Sequence, residues 1–133
     1  MYTDKEAGLL PPGLMAYIGD SVFELMVRKH FLKEGYRKLH DIHQQTISLV
    51  NASAQAAFLE VIKESLTQRE KDIVNRGKNT KTGTVPNNAD IMDYRMSTAF
   101  EALIGFLYLS EQKTRLEELW RKILLYISEK KGK

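Results

Sequence analysis

The stretch from Gly13 to Lys33 most constrains what this chain can fold into, because it is apolar on nearly every side and yet holds an isolated acid. Leu14, Met15, Ile18, Val22, Leu25 and Met26 recur at the i, i+3, i+4 spacing of a helix buried along one side. Phe23, Val27 and Phe31 cover most of the opposite side, so this helix is expected to run through the middle of the domain. Asp20 falls on that second side, between Ala16, Val27 and Phe31, where a carboxylate is costly unless it is paired or holds a cation.

Ile91 to Leu109 repeats the anomaly. Within Ala99-Phe100-Glu101-Ala102-Leu103-Ile104-Gly105-Phe106-Leu107 the only charge is Glu101. Helical spacing of about 100° per residue places Tyr94, Ser97, Thr98, Gly105 and Tyr108 beside it, neighbours small or hydroxylic enough to leave room for a ligand. Two isolated carboxylates on two buried helices fit one shared oxygen-ligand site for a hard cation such as Mg²⁺. They fit equally two separate salt bridges to neighbouring arginines or lysines, and the pattern alone leaves both open.

A chain of 133 residues is expected to form one domain and to bury roughly two thirds of its unfolded surface. No apolar run approaches the ~20 residues of a membrane span, and Met1-Tyr2-Thr3-Asp4-Lys5-Glu6 lacks the layout of a secretory signal. The absence of cysteine excludes disulfides and thiolate metal sites and makes a cytoplasmic location the expectation. A net charge of +3 permits a nucleic-acid partner without demanding one.

In chain order, residues 1 to 10 read as a short lead-in, and Pro11-Pro12 opens the first helix, which ends at Glu34-Gly35 with Gly35 as a left-handed cap. Lys38 to Val50 reads as a second helix with Ile42, Ile47 and Val50 inward. Asn51 caps a third, Ala52 to Ser65, with Ala54, Ala57, Phe58, Val61 and Ile62 on one face. Thr67-Gln68-Arg69-Glu70 is a capping box for a fourth that stops at Gly77, and Thr114-Arg115-Leu116-Glu117 is another for a last helix striped by Leu116, Leu119, Trp120, Ile123, Leu124 and Ile127. No stretch shows the period-2 alternation of strands, so the expected class is all-α.

Lys78 to Asp90 is the one long irregular segment. Arg76, Lys78 and Lys81 cluster at its start with Asn79, Thr80 and Thr82, donors suited to phosphate oxygens, although a solvated basic loop has the same composition. Because the segment leads into the Glu101 helix, it is expected to lie over one end of the suspected site.

Gly19-Asp20-Ser21-Val22-Phe23-Glu24 resembles the signature helix of the ribonuclease III endonuclease-domain family, and Glu101-Ala102-Leu103-Ile104-Gly105, after Ala99-Phe100, resembles that family's second acidic motif. With Arg76-Gly77-Lys78-Asn79 and Tyr94-Arg95-Met96-Ser97-Thr98, the likeness extends from about Gly13 to the end of the chain. It points to the short bacterial branch, mini-ribonuclease III, which has no separate double-stranded-RNA-binding domain. The resemblance implies an all-helical homodimer that cleaves double-stranded RNA with Mg²⁺, or with Mn²⁺ as a substitute. The implied substrate is precursor ribosomal RNA (23S), with a ribosomal protein as a helper.

Carried over by residue, Asp20 and Glu101 are the implied catalytic metal ligands. Gly13, Ala16 and Thr98 stand where longer members of the family have further carboxylates, and Tyr17 and Thr98 are candidates to hold waters of the coordination shell. Arg76, Lys78, Asn79 and Lys81 are the expected RNA-binding residues. The chemistry agrees, since a metal-activated water needs no protein nucleophile and the chain has no cysteine and no convincing Ser/His/Asp arrangement.

Two other readings compete. His30, His40-Asp41 and Asp90 invite comparison with the all-helical His-Asp metal phosphohydrolases, although His30, His40 and His43 are more simply polar surface positions. A protein of the same fold that lost activity with the missing carboxylates would act only as an RNA-binding or ribosome-associated protein.

Overall fold

The computed structural model describes residues 1–80 and 90–131, and the expected all-α class holds for them. In order come α1 (Asp4–Gly8), α2 (Pro12–Lys33), α3 (Leu39–Val50), α4 (Ala52–Ile62) with a 3₁₀ turn at Lys63–Ser65, α5 (Gln68–Lys78), α6 (Ile91–Leu109) and α7 (Lys113–Lys131).

Local sequence sets most of the boundaries. Proline at the start of α2 gives up no intrahelical bond, and Gly35, with φ of 102°, turns the chain at its far end while the Tyr36 amide returns to the Phe31 carbonyl at 3.1 Å. The Asn51 side chain accepts from the Ala54 amide at 2.8 Å to cap α4, and Thr67 and Glu70 form both halves of the capping box that opens α5. The last helix starts at Lys113, with the Leu116 amide bonded to the Gln112 carbonyl, so Thr114 lies inside the helix and is not its cap.

The expected lead-in is itself partly helical. Thr3 and Glu6 make a capping box for α1, and the short helix is held by tertiary bonds: Tyr2 N–H donates to the Leu109 carbonyl at 3.1 Å, and Arg69 Nε to Asp4 Oδ1 at 3.0 Å.

The middle of the domain belongs to α6, not to α2. Helices α2, α4 and α5 pack around α6, with α7 and α1 completing the shell, and every residue from Ser97 to Leu107 is buried except half-buried Glu101. The crossing of α2 and α6 explains the reversal. A Cβ on Gly19 would overlap the Glu101 carbonyl oxygen and stand 2.8 Å from the Gly105 amide nitrogen, and one on Gly105 would overlap the Met15 carbonyl. Only glycines permit that approach, and it commits one face of α2 to the core.

Phe23, one turn after Gly19, is fully buried and meets Phe100 and Trp120 edge-on, with centroids 4.9 and 5.7 Å away. The opposite side turns outward, leaving Leu14 and Leu25 more than half exposed. In α3, Thr46 faces inward and Ile47 faces out, the reverse of the hydropathy reading.

Candidate active site

The glycine crossing also sets the chemistry. Asp20 follows the residue whose backbone lies against Glu101, so two carboxyl groups from different helices become hydrogen-bonding neighbours. Asp20 is exposed, which corrects the expectation of a buried acid: the side of α2 that is covered at Val27 and Phe31 is open to solvent at Asp20.

Glu101 is the withdrawn member of the pair. Burial first, and then the hydrogen bond and negative charge of Asp20, push its carboxyl up to about 8, with the contact from Gln55 acting in the opposite direction. No arginine or lysine is paired with either acid among the described residues, so the salt-bridge alternative does not hold for them.

Sequence reasoning missed Gln55. It is fully buried on α4, accepts from Ser97 Oγ at 2.6 Å and reaches Glu101 Oε2 with its Nε2 at 3.4 Å. The signal was an amide one turn before Phe58 and Leu59 and two before Ile62, on an otherwise apolar face. Thr98 is buried one residue from Ser97 and donates its hydroxyl to the Tyr94 carbonyl at 3.0 Å, while Tyr17, a turn before Asp20, is largely exposed. No cluster of three or more His, Cys, Asp or Glu occurs among the described residues, so the acid count at this site is two.

The basic end of α5 is seated on the same stretch of α6. A Cβ on Gly77 would lie 2.9 Å from Ala99 Cα and 3.1 Å from Ala102 Cβ, residues flanking Glu101. Lys78 is half-buried and lines a groove between α4 and α5 with Glu60, Lys63, Glu64 and Met96, and Asn79 is exposed; neither is among the groups that act on Glu101. Arg76 points elsewhere: its guanidinium donates to the Gly8 carbonyl and, at 3.1 Å, to the Leu10 carbonyl, tying α5 to the segment before α2. Lys81 lies outside the described residues.

The histidines assemble nothing comparable. His30 is half-buried edge-on against Trp120 at 6.0 Å, His40 and His43 are exposed on α3, and Asp90 caps α6 by accepting from the Asp93 amide at 2.9 Å. Among the described residues no helix is long and apolar enough to cross a membrane.

Comparison with known proteins gives a consistent answer. The family model described as Ribonuclease III domain matches residues 14–112. The chain is 44% identical over 110 residues to the mini-ribonuclease 3 of Symbiobacterium thermophilum, covering 83% of this chain and 85% of that protein. It is 40% identical over 129 residues to the mini-ribonuclease 3 of Staphylococcus aureus, covering 96% of each. A crystal structure of a Fusobacterium nucleatum protein superposes with a TM-score of 0.80 at 30% identity, covering 97% of this chain and 99% of that one.

Proposed function

The chain is an endoribonuclease of the ribonuclease III domain family, in its mini-ribonuclease 3 branch, and from that premise we propose that it cuts double-stranded RNA using a divalent cation held by Asp20 and Glu101. The observation that carries this reading is the pairing of two carboxyl groups across the Gly19–Gly105 crossing, with no arginine or lysine ion-paired to either among the described residues. Such a pair is unfavourable when both groups are ionised, and a hard dication is the partner that relieves it. The donor set therefore fits Mg²⁺, with Mn²⁺ as a substitute. A bound dication supplies Lewis acidity, orienting and acidifying a water and screening charge on the scissile phosphate.

The protein's own residues divide the remaining work. Asp20 faces solvent and so faces the substrate, while Glu101 anchors the site from the core side. Thr98 and Tyr17 stand near enough in sequence to these acids to hold waters beside them. Lys78, Asn79 and Lys81 contact the RNA backbone next to the cut, and Arg76 fixes the root of that segment through its bonds to Gly8 and Leu10. Recognition of this kind reads the shape of an A-form duplex more than its sequence.

A second copy completes the arrangement. The outward side of α2 and the neighbouring face of α7 form an open groove of about 890 Å³ whose walls include Ile18, Leu25, Met26, Trp120 and Leu124. An apolar surface of this kind supports a homodimer, which presents two acid pairs to the two strands. The proposed substrate is precursor ribosomal RNA (23S), processed in the cytoplasm with a ribosomal protein as helper. Sedimentation at micromolar concentration tests the dimer, a monomer counting against it.

The direct test is cleavage of an end-labelled RNA duplex with Mg²⁺ and with EDTA, beside the corresponding single strands and DNA duplex. Cutting only of duplex RNA, only with the metal, is the expected result. Duplex binding without cutting in any metal would mean that the fold serves as a binding module. Lys78→Ala with Lys81→Ala is expected to lower affinity and to reduce the salt slope by roughly one for each phosphate that is no longer neutralised. An unchanged slope would remove these lysines from the interface.

A further inference from the structure

We infer that Gln55 is a positioning residue for the cation site: its buried amide, braced by Ser97, fixes the Glu101 carboxylate in the orientation from which it ligates. The inference rests on the cation-site reading above and adds to it a residue outside the acid pair.

Three observations carry it. Gln55 is 0% exposed on a face of α4 otherwise built from Phe58, Leu59 and Ile62, where an apolar residue would fill the space without the cost of withdrawing an amide from water. Its two polar atoms go to two residues of α6 one turn apart: Oε1 takes the Ser97 hydroxyl hydrogen at 2.6 Å, and Nε2 faces Glu101 Oε2 at 3.4 Å. In the ionised form that ligates a cation, the Glu101 carboxylate only accepts, so it must meet the NH₂ end of the amide and leave Oε1 for the Ser97 hydroxyl.

Ser97, Gln55 and Glu101 thus form a bracket that leaves α6, crosses to α4 and returns to α6 four residues later. The bracket restrains Glu101 from the protein side and leaves its solvent side, beside Asp20, for a ligand. Partners that orient a metal ligand in this way typically contribute 10- to 100-fold in affinity. The long 3.4 Å separation suits a restraint that closes fully only when the carboxylate is drawn into place.

The test is binding of Mn²⁺ alone to the full chain, read by the electron paramagnetic resonance of the free ion, alongside thermal unfolding without metal. Gln55→Met keeps length and bulk but removes the donor, and its dissociation constant is expected to rise about tenfold or more. Ser97→Ala should raise it by less, because the amide remains. In the double variant Gln55→Met/Ser97→Ala no hydroxyl is left orphaned, so thermal stability recovers relative to Gln55→Met while Mn²⁺ binding stays weak. A purely structural role predicts the reverse, with affinity following stability, and that result would overturn the inference. Binding abolished in Glu101→Gln but intact in Gln55→Met would overturn the bracket alone. Binding as tight in Glu101→Gln as in wild type would overturn the site and the bracket together.

Discussion

Glu70, in the first turn of α5, and Glu101, in the middle of α6, are both drawn out of water, and the protein provides for them in opposite ways. Glu70 is 3% exposed and fully partnered. Arg115 Nε and Nη2 reach its two oxygens at 2.9 and 2.8 Å, and the Thr67 amide donates at 2.9 Å. Burial alone would push Glu70 up, but the Arg115 fork and the bonds from Thr67 outweigh it and hold the carboxyl below its ordinary value.

Glu101 has another acid where Glu70 has an arginine, and one long amide interaction where Glu70 has three short bonds. The lesson is that burial does not by itself mark the acid proposed to hold a cation. What marks it is burial without charge compensation, a deficit that a ligand can fill.

The largest effect that sharpens the contrast is on catalysis. Glu101→Gln keeps shape and hydrogen bonding but removes the charge that would hold the cation, and duplex cleavage is expected to fall by at least about a thousandfold. Its stability without metal should be equal to wild type or higher. A variant that still cut RNA at the wild-type rate would break the distinction between the two glutamates.

Next comes Arg115→Ala, which strands Glu70 as an unpaired buried charge and also deprives the Ser65 carbonyl of its 2.6 Å donor. Urea unfolding should show a loss of about 3–5 kcal/mol. A loss under about 1 kcal/mol would mean that α5 and α7 are held by packing and that the fork contributes little.

Proton linkage gives a smaller and more discriminating effect. Without metal, Glu101 stands at about 8 when folded and near its ordinary 4.5 when unfolded. The folded state therefore binds the extra proton between these values, and its contribution to stability is full below 4.5 and declines as pH rises through about 8. Glu70, held low, contributes above its ordinary value and loses that contribution as pH falls through its folded value. Thermal midpoints measured against pH in EDTA should accordingly fall between pH 4.5 and about 8 for wild type, level off above that, and lose this decline in Glu101→Gln. The same decline over that range in the variant would assign it to another group.

Much of this arrangement is legible in the chain, and the rest fails for identifiable reasons. Asp20 and Glu101 stand out because each is a charge set in the apolar part of its helix, and α6 is readable end to end because its pattern is local. The face that α2 buries is not local information: both sides are apolar, and the choice is made by the backbone approach of Gly19 to Glu101. Helix α1 carries a capping box but too little apolar surface to announce itself, and it depends on Arg69 and Arg76 from far along the chain. Arg76 misleads for the same reason, since its carbonyl partners lie 66 and 68 residues away. Gln55 is hidden because a lone amide on a helix resembles surface until the opposing helix is in place.

The central claim, that Glu101 beside Asp20 is kept short of compensation in order to hold a cation, is most directly tested by counting protons. Mg²⁺ binding at pH 7, followed by calorimetry in two buffers of different ionisation enthalpy, should release close to one proton per site, because a carboxyl at about 8 must ionise to ligate. The release should vanish in Glu101→Gln. Mg²⁺ bound with no proton released, or with the same release in the variant, would show that the cation sits elsewhere and that the acid pair is not its site.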